Sequence, residues 1–367
     1  MTPVYIATLG YSPIYVGLVL AAIIGGNIFS NILLTWFGKR IGIQRALLAF
    51  SLLMFTSGVL LYLTAYFPLI LLAGFIGNIS TTGTEAGPFQ SIETGVMPNF
   101  APVRIGRAYG IYNLLGYIAS ALGAFAASIP SHFALSITSF HYLYLAYGVV
   151  GLLLFFIYWS LKDLDTSRVS YSQEKPKLTN ETARSDMKKL AILNGCDAFG
   201  GGFVSQSLLS YWFFYVYKVS LGNLGTIFFI ANIITAISIF LAPLIAERLG
   251  NLRTMVFTHL LSNVFLIAIP IVGSLILALS FLFLRQCFSQ MDVPTRQTFM
   301  VEIFQKEDRV RANAVTNTAR GIASIFGAPI SGALLAVDLV LIPILAGGIT
   351  KIAYDSAIFL VYRKRAR

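Results

Sequence analysis

Apolar positions along the chain fall in stretches of twenty residues and more, separated by short charged or turn-rich breaks. A helix needs about 20 residues to cross the hydrocarbon of a bilayer. Stretches of that length lie near 11–37, 44–65, 67–90, 107–129 and 141–161. After a charged gap they resume near 190–217, 220–246, 254–272, 274–296, 312–336 and 339–362. The pattern predicts eleven membrane-spanning helices, preceded by a short apolar piece from Met1 to Leu9. Composition agrees. Of the 367 residues 57% are hydrophobic and 11% charged, and the mean hydropathy is +0.77. Soluble globular chains carry about 25% charged residues, so a polytopic protein in a lipid bilayer is expected and a water-soluble enzyme is not.

The net charge of +11 first reads as a footprint for an acidic partner. Its distribution changes that. Alternate loops hold Lys39, Arg40 and Arg45, then Arg104 and Arg107, then seven basic residues from Lys162 to Lys189. The same set continues with Arg248 and Arg253, Lys306, Arg309 and Arg311, and the C-terminal Arg363, Lys364, Arg365 and Arg367. In all, 21 of the 26 basic residues fall on one side, and the opposite loops offer Lys218 alone. By the positive-inside rule the basic side, the central loop and the C-terminus are expected in the cytoplasm of a cell that carries this protein in its plasma membrane. No nucleic-acid partner is expected, because such a footprint needs its charges on one folded face. The stretch 162–189 mixes Lys, Asp, Glu, Arg and Ser and reads as a solvated linker between an N-terminal half, 1–161, and a C-terminal half, 190–367.

The halves repeat one another. Lys39-Arg40-Ile41-Gly42-Ile43-Gln44-Arg45 and Glu247-Arg248-Leu249-Gly250-Asn251-Leu252-Arg253 share Arg, Gly and Arg at a shift of 208. Residues 107–124 and 311–328 agree at eight of eighteen positions at a shift of 204, among them Arg107 with Arg311, Asn113 with Asn317 and Gly123 with Gly327. Both matches occupy the same topological place, which is the signature of a parallel duplication.

With these residues in view the chain resembles the major facilitator superfamily. The resemblance rests on two six-helix halves, a charged central loop, and a Gly-Arg-rich turn after helix 2 and after helix 8. In that family the turn reads roughly Gly-x-x-x-Asp-Arg-x-Gly-x-x-Arg. Here Glu247, Arg248, Gly250 and Arg253 fit it with Glu for Asp, while the first copy keeps Arg40, Gly42 and Arg45 but has Lys39 at the acidic position. Met291-Asp292-Val293-Pro294-Thr295-Arg296-Gln297 and Gly327-Ala328-Pro329-Ile330-Ser331-Gly332 extend the likeness over nearly the whole chain. The resemblance implies an all-α fold of two pseudo-symmetric halves and a secondary transporter that alternates access to a midplane site. It also implies that the turns act in gating. Helix 7, near 190–217, maps by the 208 shift to about −18 to 9, so most of helix 1 is expected to be truncated, by roughly twenty residues. A genuine eleven-helix chain is the alternative.

Charges inside the hydrocarbon cost several kcal/mol and mark solute or ion paths. Asp197 lies about seven residues into helix 7 from the cytoplasmic side, Arg320 about eight into helix 11, and Arg285 about eleven into helix 10 from the opposite side; at 1.5 Å per residue in a core about 30 Å thick, all three reach similar depth. One reading makes Asp197 a proton carrier paired with Arg285 or Arg320; the other makes the pair a permanent structural one. Two arginines against one carboxylate leave positive charge over, which fits an anionic or amphipathic solute. Helical spacing puts Gly201, Val204, Leu208, Tyr211 and Tyr215 on the Asp197 face, and Gly74, Asn78, Thr81 and Glu85 on one face of helix 4. Asn78, Thr81, Tyr211 and Tyr215 are therefore candidates for the solute pathway. Glu85 and Asp292, near the ends of helices 4 and 10, are candidates for gating. Lys39 is expected to seek an acid among Glu302, Glu307 and Asp308.

Against proton-driven efflux, the family's helix-4 arginine would fall near Gly74, and the Gly-Pro motif of helix 5 lacks its proline around Gly116 and Gly123. Two Cys and three His give no disulfide framework and no metal-ligand spacing. No catalytic set or phosphate loop stands out, so no cofactor, metal or enzymatic activity is expected. The favoured reading is a monomeric secondary transporter of a small organic solute, with proton-coupled efflux one form of it. The alternative is a transporter-like sensor or interaction protein that binds ligand without net flux.

Overall fold

A computed structural model describes residues 1–81, 87–100, 105–128, 137–161 and 181–364. Among these residues the chain is all helical. The N-terminal half comprises α1 (Thr2–Thr8), α2 (Pro13–Ile41), α3 (Ile43–Leu63), α4 (Phe67–Ile76), α5 (Gly87–Phe100), α6 (Ile105–Ala126) and α7 (Ile137–Ser160). The C-terminal half comprises α8 (Glu181–Phe203), α9 (Gln206–Tyr217), α10 (Leu221–Leu249), α11 (Asn251–Ile271), α12 (Leu275–Gln286), α13 (Asp292–Ile303), α14 (Lys306–Ala336) and α15 (Ile342–Tyr362). Seven of the described helices are long and apolar enough to cross a membrane, namely α2, α3, α7, α10, α11, the Val315–Ala336 part of α14, and α15.

Three expected spans are not single helices. The stretches read as 67–90, 190–217 and 274–296 are each two shorter helices, α4 with α5, α8 with α9, and α12 with α13. Hydrophobicity does not reveal such breaks, because a broken helix in a membrane stays apolar and needs only that neighbours satisfy its freed backbone groups. That is what happens here. Ser57 Oγ donates to the Ala73 carbonyl and the Tyr147 hydroxyl to the Gly77 carbonyl. Asn27 Nδ2 donates to Ile79 O at 2.9 Å, and Ser238 Oγ to Cys287 O at 2.6 Å. The break after α8 is turned by Ser205, whose hydroxyl caps α9 by accepting from the Leu208 amide. Helix α8 also begins at Glu181, inside the stretch read as linker.

The duplication is written in the backbone. Gly42 and Gly250, 208 residues apart, hold φ/ψ of 86°/150° and 84°/153° between α2 and α3 and between α10 and α11. This region of the map is open to glycine alone. Gly10 and Lys218, also 208 apart, both take positive φ, 85° and 55°, just after α1 and α9.

Packing divides the molecule unequally. Call the end carrying the Gly42 and Gly250 turns the basic end. Toward the opposite end one core joins both halves, with Val16, Val19, Ile23, Ile70 and Phe140 packed among residues such as Leu208, Tyr211, Phe228, Leu282 and Leu335. Toward the basic end there are two separate cores. One holds Leu34, Leu47, Phe50, Phe89 and Tyr158 of the N-terminal half. The other holds Leu190, Met255, Phe299, Tyr354 and Tyr362 of the C-terminal half. Lipid gives little hydrophobic drive for helices to associate, so small residues that let backbones meet carry much of the contact. A methyl added at Gly17 would lie 2.6 Å from the Ala328 carbonyl oxygen; one at Gly332, 2.5 Å from that of Pro13; one at Gly225, 2.5 Å from Ser128 Cβ. All three contacts join the halves toward the opposite end.

Candidate functional site

Asp197 sits in α8, 2% exposed, one turn before the close Gly200 and Gly202 contacts that seat α8 on α15 and α14. Its Oδ2 accepts from Arg320 Nη1 of α14 at 2.8 Å and its Oδ1 from Lys351 Nζ of α15 at 2.7 Å. Arg296 of α13 approaches Oδ2 to 3.7 Å and donates to Asp292, one turn back, at 2.9 Å. On α11, His259 Nδ1 lies 2.7 Å from Asp355 Oδ1, while Asn263 Nδ2 donates to Asp355 Oδ2 at 3.0 Å. His259 Nε2 is 3.5 Å from the Lys351 ammonium and 3.8 Å from Asp197 Oδ1. A carboxylate only accepts and an ammonium only donates. In its neutral form the ring would carry its hydrogen on Nδ1, toward Asp355, and present the Nε2 lone pair to Lys351.

Five helices thus converge on one buried network. It brings together the carboxyl groups of Asp197, Asp292 and Asp355 and the basic side chains of Arg296, Arg320 and Lys351. With His259 neutral the set carries no net charge, which is the least costly state for a buried cluster. Every member belongs to the C-terminal half.

Of the two partners expected for Asp197, the structure joins Arg320 and leaves Arg285 out. Arg285 makes no ion pair among the described residues; its Nη1 donates to Gln286 Oε1 at 3.2 Å. Asp292, expected near the end of helix 10, lies at the start of α13, eleven residues before Ile303, and is drawn into the cluster. Asn78 and Thr81 are each 7% exposed, but they follow the end of α4 at Ile76, so the expected helical stripe is not continuous. Asn78 takes φ 52°, and neither its Oδ1 nor its Nδ2 has a partner. Glu85 lies outside the described residues. The break at Val204 and Ser205 also separates Tyr211 and Tyr215 from the Asp197 face. Tyr211, 1% exposed, packs in the shared core, and the Tyr215 hydroxyl donates to Asp338 at 3.1 Å under the Lys218 ammonium.

At the basic end Arg45, Glu247, Arg248 and Arg253 are exposed and form no ion pair among the described residues. Glu247 borders a cleft of about 230 Å³ with Asn251, Pro294 and Thr298. The side chains of Lys39, Arg40 and Glu307 lie outside the described set. Glu302, one acid proposed for Lys39, accepts from Asn251 Nδ2 at 2.6 Å.

Hydropathy reading passed over Lys351, Asp355, His259 and Arg296. The signal was present: Lys351 with Asp355, and His259 with Asn263, stand one turn apart inside apolar spans. It also passed over Glu93 on α5, whose oxygens accept from the Tyr112 and Tyr158 hydroxyls at 2.8 and 2.6 Å.

Solved structures share this architecture. The inward-open xylose transporter XylE from E. coli superposes with a TM-score of 0.73 at 15% identity, over 95% of this chain and 86% of that one. The nucleoside transporter NupG gives 0.74 at 14% identity, over 99% and 93%. A bacterial homologue of the human lysosomal transporter Spinster gives 0.65 at 16% identity, over 98% and 91%. By sequence, the chain is 26% identical over 358 residues to the uncharacterized membrane protein YJR124C of Saccharomyces cerevisiae, covering 87% of this chain and 80% of that one. The profile of the Major Facilitator Superfamily matches residues 1–328. With its repeated halves, its paired glycine turns and this match, the chain is a multi-pass membrane protein that belongs to the major facilitator superfamily.

Proposed function

We propose that the protein carries a small organic solute across the membrane by alternating access, with protons as the coupling ion and its basic end toward the cytoplasm of the plasma membrane. The observation that carries this reading is the unequal division of the core. One apolar core clamps the halves together at one end and two independent cores leave them separable at the other. A rocking motion requires such an arrangement, since each half keeps its own packing while the common seam opens. Relatives named as xylose and nucleoside transporters support a small solute. The neutral cluster around Asp197 supplies the proton site: a proton added to it leaves an unbalanced buried charge, which biases the two states differently.

One observation favours a second reading of the cluster, as a brace. All of its members lie in the same half, so halves that rock as rigid bodies leave it intact. Proteoliposomes loaded with a solute panel under an imposed pH gradient separate these readings. Gradient-driven flux that loses its pH dependence in Asp197→Asn is the expected result. Undiminished gradient-driven flux in that variant, with a lowered melting temperature, assigns the brace. Ligand binding without flux in the unmodified protein overturns transport altogether.

A further inference from the structure

Besides the 21 basic residues on one side and Lys218, four remain, all in the membrane. Three of them, Arg296, Arg320 and Lys351, converge on Asp197. The fourth, Arg285, stands alone. It is 9% exposed, near the C-terminal end of α12, on the inward face with Ala278 and Leu282 of the core shared by the halves. A guanidinium is charged at any accessible pH, and a buried charge without a counter-ion is costly. One end of the group is held in place: Nη1 donates to Gln286 Oε1, which also accepts from Ser289 Oγ at 2.8 Å. Its Nε has no acceptor.

Two neighbouring features point the same way. Asn232, at the corresponding depth of the adjoining helix α10, is 2% exposed with its Nδ2 unpartnered, a second buried donor without an acceptor. Five residues beyond Arg285, Gln290 Oε1 accepts from Tyr117 OH of α6 at 3.1 Å, so this break in helix 10 faces the other half of the molecule. Arg285 lies ten residues past Leu275, the N-terminal end of α12, or roughly 15 Å along the helix axis, deeper than a lipid headgroup sits.

We propose that Arg285 is the recognition point for a solute bearing a carboxylate or phosphate, which seats against its free Nε edge between the halves. The planar guanidinium fork matches either oxyanion in a bidentate pair. The proposal rests on the transport reading and narrows its solute to an anion.

The test uses the full chain in neutral detergent, with lactate, citrate, inorganic phosphate and glycerol 3-phosphate as probes and xylose and uridine as uncharged controls. A saturable rise in melting temperature is expected with at least one anion and with neither control, and carboxylate and phosphate probes tell the two groups apart. In Arg285→Gln the apparent affinity for that anion falls about 10- to 100-fold, while the ligand-free melting temperature is unchanged or higher, because an unpaired buried charge is gone. Loss of a merely structural arginine would leave the anion affinity unchanged and lower the ligand-free melting temperature. Arg285→Lys keeps the charge and loses the fork, and is expected to bind with intermediate affinity. Anion affinity in both variants equal to that of the unmodified protein, or no saturable response of the unmodified protein to any anion, overturns the proposal. If the anion binds through Arg285 but is not carried into proteoliposomes, the transport reading fails and the anion site stands.

Discussion

At the scale of single residues, Asp197 is the centre of the buried electrostatics, with one oxygen on Arg320 and the other on Lys351. Removing one partner of a buried pair leaves an uncompensated charge, so Lys351→Met is expected to cost about 3–5 kcal/mol. The same change made on an Asp197→Asn background is expected to cost markedly less, since the two act as a unit. Chemical denaturation of the four proteins in one detergent measures both. Gly42 and Gly250 make a second pair of test sites. A side chain at their shared φ/ψ is strained by about 1–3 kcal/mol, so Gly42→Ala and Gly250→Ala are each expected to lower the melting temperature. A loss at one site only would break the symmetry argument. Both glycines were legible in the sequence because they repeat at a shift of 208 within a charged turn. Lys351 was harder to see, since a single basic residue inside an apolar span barely alters its hydropathy. Its meaning depends on Asp197, 154 residues away, and no local pattern records that distance.

At the scale of elements, sequence gave the long helices and their order but not the broken ones. The breaks after α4 and α12 carry small and polar residues such as Gly77, Asn78, Ser289 and Gln290, which read equally well as a polar stripe on a continuous helix; the break itself shows in backbone torsions such as Asn78's and in the neighbours that satisfy freed carbonyls. The same elements carry the seam between halves. Gly225 of α10 faces the Ala124 carbonyl in the last turn of α6 and Ser128 just past its end. Gly225→Val is expected to wedge these helices apart at the opposite end. A reporter cysteine at Val19, 1% exposed in the shared core, should then react faster with a membrane-impermeant maleimide, in a chain whose Cys196 and Cys287 are replaced by serine. Unchanged labelling would mean that this seam does not open between α6 and α10.

At the scale of the whole molecule, charge sidedness and the repeat made the two-half design readable, while the division of the core did not show in either. Apolar stretches run through the spans of both halves, and which of their residues meet across the halves depends on close approach at Gly17, Gly225 and Gly332. The three cores also bear on how the protein is assembled. The halves meet in the described residues through side-chain packing and a few hydrogen bonds, and the two cores at the basic end are each complete within one half. Covalent continuity between Leu161 and Glu181 is then a matter of tethering. Two polypeptides, 1–170 and 171–367, made in the same cell are expected to copurify through one affinity tag and to melt as a single unit. Substitution of Gly17, Gly225 and Gly332 by leucine should abolish that partnership without unfolding either piece. The common core would then act as a subunit interface, and this single chain as a fused dimer of unlike halves.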